Sequence, residues 1–155
     1  MGRPFDPHLL LTAPLMAVLS TVSETGAPRN APVWYAWEED ALWMLSHDGA
    51  SSLRRIAANA EVSVEILDYD NGAGRLRHLG LRGQAEIHPM DPPFFRRLLA
   101  RYLGPEPTWN RWFIETVARI DDPDGRLIRL VPSSVFTNDV SHFRTGPAFA
   151  TGEDG

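Results

Sequence analysis

The chain has 155 residues, 43% hydrophobic and 23% charged, with a formal net charge of −5 and no cysteine. That length makes one domain with a sizeable core, and the balance of apolar and charged residues excludes global disorder. The acidic balance argues against nucleic-acid binding, and the missing cysteine excludes disulfides, thiolate metal sites and a cysteine nucleophile.

His8 to Thr12 predicts a short helix that covers one end of a barrel. Leu15 to Val22 and Arg29 to Trp37 read as the arms of a β-hairpin. The turn between them is Ser23-Glu24-Thr25-Gly26-Ala27-Pro28, where Gly26 offers positive φ and Pro28 pre-sets the exit. Glu38-Glu39-Asp40 is a polar turn before a third strand, Ala41 to Ser46. Ser51 to Asn59 predicts a helix, with Leu53, Ile56 and Ala57 on one face. Val62, Val64 and Ile66 alternate with Ser63, Glu65 and Leu67, which predicts a fourth strand.

Asp70 to Gly74 is the strongest turn signal. After it, Leu79, Leu81, Gly83, Ala85 and Ile87 alternate with Gly80, Arg82, Gln84, Glu86 and His88, a half-buried strand whose glycines predict a bend, a bulge or a close backbone approach. Asp91-Pro92 starts a helix striped by Phe94, Phe95, Leu98, Leu99, Tyr102 and Leu103 and ended by Gly104-Pro105. Thr108 is the predicted cap of a further helix carrying Trp109, Trp112, Phe113, Thr116 and Val117. Leu127 to Val131 and Val135 to Asn138 are the last strands. The predicted class is α+β, mainly β: an antiparallel barrel of about six strands with short flanking helices. Residues 1–144 form one domain, and residues 145–155, rich in Gly, Ala and acids, read as a loose tail.

No segment approaches the roughly 18 consecutive apolar residues of a membrane span, and the opening MGRPFDPHLLLTAPLM makes a poor secretory signal. A cytoplasmic location is the expectation. The five histidines lack metal-ligand spacing, so no metal site is predicted. No serine has a G-x-S-x-G context. Gly72-Ala73-Gly74 lacks the strand before and helix after that a dinucleotide fingerprint requires. Asp121, Asp122 and Asp124 read as a solvated turn. No carboxylate pair stands out for acid–base work.

The hairpin LMAVLSTVSETGAPRNAPVWYAW resembles the opening of the pyridoxamine 5'-phosphate oxidase-like split-barrel flavoproteins. Four further pieces follow in that family's order. They are Leu42-Trp43-Met44-Leu45-Ser46, Asn59-Ala60-Glu61-Val62-Ser63-Val64, Arg82-Gly83-Gln84-Ala85-Glu86-Ile87, and the closing Arg126-Leu127-Ile128-Arg129-Leu130-Val131-Pro132. The resemblance covers roughly residues 9 to 139. It implies a six-stranded split barrel, a homodimer and FMN held between subunits, with a deazaflavin coenzyme in some members. It places Pro32, Val33, Trp34 and Tyr35 beside the isoalloxazine, Ser46, His47 and Asp48 near the ribityl chain, and Ala50 to Arg55 at the phosphate. Gln84 would approach the ring, and Trp109 would contribute from the partner chain.

One departure concerns the phosphate. Family members often carry S-R-K before that helix, and the aligned residues here are Ala50, Ser51 and Ser52. Hydrogen bonds to charged groups contribute about 1.5–3 kcal/mol each, so losing two would weaken binding by roughly 10²- to 10⁴-fold. Ser51, Ser52 and the helix N-terminus, with Arg54 and Arg55 a turn away, are the predicted replacements. FMN-dependent oxidation and reduction of a small molecule is the first expectation. A deazaflavin-dependent reductase is the alternative, with Arg29, Arg54, Arg55 and Arg82 available to an acidic tail. A non-catalytic protein binding flavin, or haem through His47, is another, and a barrel without cofactor the last. Trp34, Tyr35, Trp37 and Trp43 read equally as a wall against a flavin or as ordinary core and interface aromatics.

Overall fold

In the computed structural model, which describes residues 2–118 and 124–142, period-two alternation builds the barrel from its first strand. β1 (Ala17–Val22) turns Ala17, Leu19 and Thr21 inward. It pairs antiparallel with β2 (Pro28–Val33) across a turn in which Gly26 adopts φ +83°. On its other side it pairs with β5 (Glu61–Asp70), which turns Val62, Val64 and Ile66 to the same interior. β3 (Tyr35–Glu38) and β4 (Ala41–His47) form a second hairpin, whose turn holds Glu39 and Asp40 at positive φ.

The described residues contain eight strands. The count exceeds the expected six partly because the predicted strand Arg29 to Trp37 is two strands broken at Trp34. β2 pairs with β1, whereas β3 pairs with β4. The Trp34 carbonyl accepts a hydrogen bond from Leu45 N–H at 3.2 Å, joining the two edges where no ladder runs.

β6 (Arg75–Pro89) is the long strand that holds the two halves together. It pairs with β5 along residues 75–84. On its other edge it pairs first with β8 (Ser134–Asp139), through Arg77 to Arg82, and then with β7 (Gly125–Leu130), through Ala85 to Pro89. The change of partner falls at Gly83, where a Cβ would lie 3.0 Å from the Val131 carbonyl oxygen and 3.3 Å from Ser133 N. The close approach predicted for this strand is therefore located at Gly83; at Gly80 the nearest atom, Phe136 Cβ, is at an ordinary 3.8 Å. β7 also pairs with β4, giving the path β2-β1-β5-β6-β7-β4-β3, antiparallel throughout.

Four helices cover this sheet. α1 (His8–Leu11) lays Leu10 and Leu11 into the main core. α2 (Ser51–Ala58) buries Leu53 and Ile56 there. α3 (Pro92–Leu103) packs Phe94 and Leu98 against Ala36 and Leu127, and Phe95 and Leu99 against Trp109. Its start conforms to the Asp91-Pro92 signal, although the Asp91 side chain makes no capping bond. α4 (Arg111–Ala118) starts later than predicted: the Asn110 carboxamide accepts from Phe113 N–H at 3.2 Å, while Thr108 closes a separate 3₁₀ turn, Glu106–Thr108. Trp109 therefore precedes α4 instead of belonging to it. Asp121, Asp122, the side chains of Thr116 and Val117, and the tail 145–155 lie outside the described residues. No helix among the described residues is long and apolar enough to cross a membrane.

Candidate functional site

Two cavities open along β2. The first, of about 400 Å³, is lined by Pro32, Val33, Trp34, Leu45, Ser46, His47, Met90, Phe95, Trp112 and Gly125. The second, of about 470 Å³, is lined by Ser23, Glu24, Thr25, Arg29, Ser51, Arg54, Arg55 and Ala58. The same two stretches of chain supply both: β2 gives Arg29 to one and Pro32 and Val33 to the other, and the chain leaving β4 gives His47 to one and Ser51 to the other. At about 3.3 Å per strand residue, the two groups sit roughly 10–13 Å apart along β2.

The first cavity is apolar apart from Ser46 and His47. Trp34 is its wall. The break between β2 and β3 frees the indole from the ladder, and Tyr102 of α3 stacks on it with ring centroids 4.6 Å apart and an interplanar angle of 6°. Phe113 stacks 6.1 Å away. His47 ends β4 and is the only titratable side chain among the lining residues.

The second cavity is basic. The chain has no lysine, so all of its 15 Lys+Arg positions are arginines. Among the described residues, Arg75, Arg77, Arg96, Arg97, Arg111, Arg126 and Arg129 form ion pairs, whereas Arg29, Arg54 and Arg55 form none. Three uncompensated guanidinium groups therefore converge on a cavity whose acid is Glu24. Arg55 is additionally fixed by its Nε–H, which donates to Thr21 Oγ1 at 2.7 Å. Ser51 opens α2 after Ala50; Leu53 N–H donates to the Ala50 carbonyl at 3.1 Å, whereas the N–H groups of Ser51 and Ser52 have no intrahelical acceptor and favour an anion.

The structure thus gathers Pro32, Val33, Trp34, Ser46 and His47 in one cavity, and Ser51, Arg54 and Arg55 in the other. Tyr35 and Trp109 are corrections to the expected set. Tyr35 is fully buried, its hydroxyl proton shared between the Leu10 and Ala13 carbonyls at 2.6 and 2.8 Å. Strand alternation turns it away from Trp34's side and into the core. Trp109 is buried against Phe95 and Leu99, and its indole N–H donates to the Gly104 carbonyl at 2.7 Å. Trp37 and Trp43 line neither cavity; Trp43 packs between Arg129, His88 and Phe94.

Three further residues stand outside both cavities in the single chain. Gln84 faces solvent on β6 and donates to the Glu61 carboxylate. Asp48 lies 3.7 Å from Arg126, and its N–H donates to Asp124 O at 2.6 Å. Ser52 follows Ser51 on α2 without lining either cavity. Sequence reasoning passed over Met90, Phe95 and Thr21, which carry no local signal, because each reaches the site through tertiary packing.

Solved structures place this architecture among known proteins. An F420 reductase is 30% identical, with a TM-score of 0.66, covering 86% of this chain and 98% of that one. A conserved hypothetical protein from Mycobacterium tuberculosis superposes with a TM-score of 0.72 at 18% identity, covering 94% of each chain. An FAD-binding protein from Mesorhizobium loti gives 0.62 at 19% identity, covering 91% of this chain and 99% of that one. No curated protein sequence matches the chain. With the family model described as Pyridoxamine 5'-phosphate oxidase matching residues 8–139, the chain belongs to the pyridoxamine 5'-phosphate oxidase-like family of split barrels.

Proposed function

We propose that this protein is a reductase that holds a deazaflavin coenzyme along β2, with the ring against the Trp34 wall and the anionic tail in the arginine cavity. The observation that carries this reading is the convergence of Arg29, Arg54 and Arg55, unpaired, on one side of a strand whose other end borders an apolar cleft. A deazaflavin coenzyme carries several anionic groups along its tail, and spread guanidinium groups suit it better than the compact cation pair this chain lacks at Ser51 and Ser52. The 30% identity to an F420 reductase over nearly the whole of that chain supports the same cofactor.

When bound, such a cofactor supplies hydride transfer. The residues of the chain do the rest. Trp34, Val33, Leu45 and Phe95 exclude water from the face of the cleft. Arg29, Arg54, Arg55 and the start of α2 anchor the anionic end. His47, beside Ser46 at the open edge, is placed to hand a proton to the reduced substrate. FMN is the second reading, favoured by the short distance from Ser51 to Arg54 and Arg55, which suits a single terminal phosphate at a helix start. The substrate is a small molecule that enters the apolar cleft.

Titrating the purified protein with the deazaflavin coenzyme and, separately, with FMN tests this. Quenching and band shifts with the deazaflavin coenzyme at lower concentration than with FMN are expected. Tighter FMN binding would replace the first reading with the second, and binding of neither would overturn both.

A further inference from the structure

Thr21 is a buried polar side chain of the barrel among the described residues, 2% exposed. It occupies the inward row of β1 behind Ala17 and Leu19, a row the fold otherwise fills with apolar groups. Its Oγ1 accepts from Arg55 Nε at 2.7 Å, linking β1 to α2. A buried hydroxyl left without a partner is costly, and valine fills almost the same volume without that cost. What the hydroxyl adds is this one bond.

An arginine presents five N–H donors in a rigid planar fork. Engaging Nε at the stem side fixes the plane of the guanidinium and leaves its terminal nitrogens for the cavity that Arg29, Ser51 and Arg54 also line. Arg54, next in sequence, has no such anchor among the described residues. Two adjacent arginines thus differ in kind: one is held before any ligand arrives, and the other must be ordered by it.

We infer that Thr21 is a positioning residue for anion binding, holding Arg55 in the orientation that engages the phosphate-bearing end of the cofactor. The inference rests on the reading of the basic cavity as an anion site. Ordering a long side chain in advance removes part of the cost of binding, so releasing Arg55 should weaken anion affinity by about three- to tenfold.

Inorganic pyrophosphate, which carries no ring, is the probe, titrated by calorimetry into wild type, Thr21→Val, Thr21→Ser, Arg55→Ala and the Thr21→Val/Arg55→Ala double variant. Thr21→Val is expected to bind about three- to tenfold more weakly, and Thr21→Ser, which keeps the oxygen, within about twofold of wild type. In the Arg55→Ala background, Thr21→Val should add nothing, because the residue acts through Arg55. A purely structural role would instead weaken both backgrounds alike, and that result overturns the inference. So does wild-type affinity in Thr21→Val, or a wild type that ignores pyrophosphate. If pyrophosphate behaves as expected while neither flavin nor deazaflavin binds, the Thr21–Arg55 device stands and the cofactor assignment falls.

Discussion

The Tyr35 hydroxyl lies between the Leu10 and Ala13 carbonyls, and its backbone N–H donates to the Tyr102 hydroxyl at 3.1 Å. Arg101 reaches over both rings and donates to the Thr12 and Leu11 carbonyls at 3.2 and 3.1 Å. Burial pushes both tyrosine hydroxyls above their ordinary value of 10.0. The unfolded chain therefore loses these protons near pH 10 while the folded chain keeps them. The unfolded state then binds fewer protons, so stability is intact below about pH 10 and falls as pH rises beyond it. Tyr35, fully buried, should ionise only as the protein unfolds, seen by absorbance at 295 nm beside circular dichroism. Tyr35→Phe removes the hydroxyl's shared hydrogen bond, while the Leu10 carbonyl keeps Ala13 N–H and the Ala13 carbonyl keeps Leu15 N–H and Arg101 as donors, so it should cost about 0.5–1.5 kcal/mol in urea unfolding at pH 7. Gly83→Ala should cost about 1–3 kcal/mol by overpacking, because its Cβ would meet main-chain atoms that cannot swing aside. A wild-type midpoint for Gly83→Ala would mean that the β7–β8 crossing gives way easily.

Among the elements, α2 carries the most function for its length. Leu53 and Ile56 anchor it on the barrel, which leaves Ser51, Arg54 and Arg55 for the cavity. Replacing Arg54 and Arg55 together with alanine should weaken cofactor binding at least tenfold, since each charged hydrogen bond contributes about 1.5–3 kcal/mol. The fold should survive, because Leu53 and Ile56 are untouched and the Thr21 hydroxyl left without its partner costs only about 1–3 kcal/mol; unchanged affinity in a folded double variant would move the anionic end elsewhere. This helix was legible in the sequence from its spacing, and so were Arg54 and Arg55. The break at Trp34 was not. Val33, Trp34, Tyr35 and Trp37 all favour extended backbone, and nothing local tells a continuous strand from one that changes sheet partner. Once broken there, the chain turns Tyr35 inward and leaves Trp34 against Tyr102, which separates two aromatics that adjacency had joined.

At the scale of the whole molecule, one chain leaves a good deal of apolar surface uncovered. Val131, Val135 and Phe136 are each about half exposed, at 48%, 49% and 56%, and β2 is exposed along most of its length. We propose that the protein is a homodimer that covers part of this surface and brings Gln84 of a second copy within reach of a bound ring. Sedimentation equilibrium at micromolar concentration should give twice the chain mass, and a monomer would remove the partner from the site.

The alternation of β1, β5 and β6, the turn residues around Gly26 and Gly74, and the spacing of α2 and α3 determined the class of fold, because each is a local pattern that one register satisfies. Five motifs in order pointed to the family. Which aromatics face a ligand, where β6 changes partner, and which arginines stay unpaired depended on contacts between segments far apart in the chain. Thr21 and Arg55 stand 34 positions apart. Only the closing of the barrel brings that hydroxyl to that guanidinium, and a bond of that kind leaves no periodic trace in the sequence.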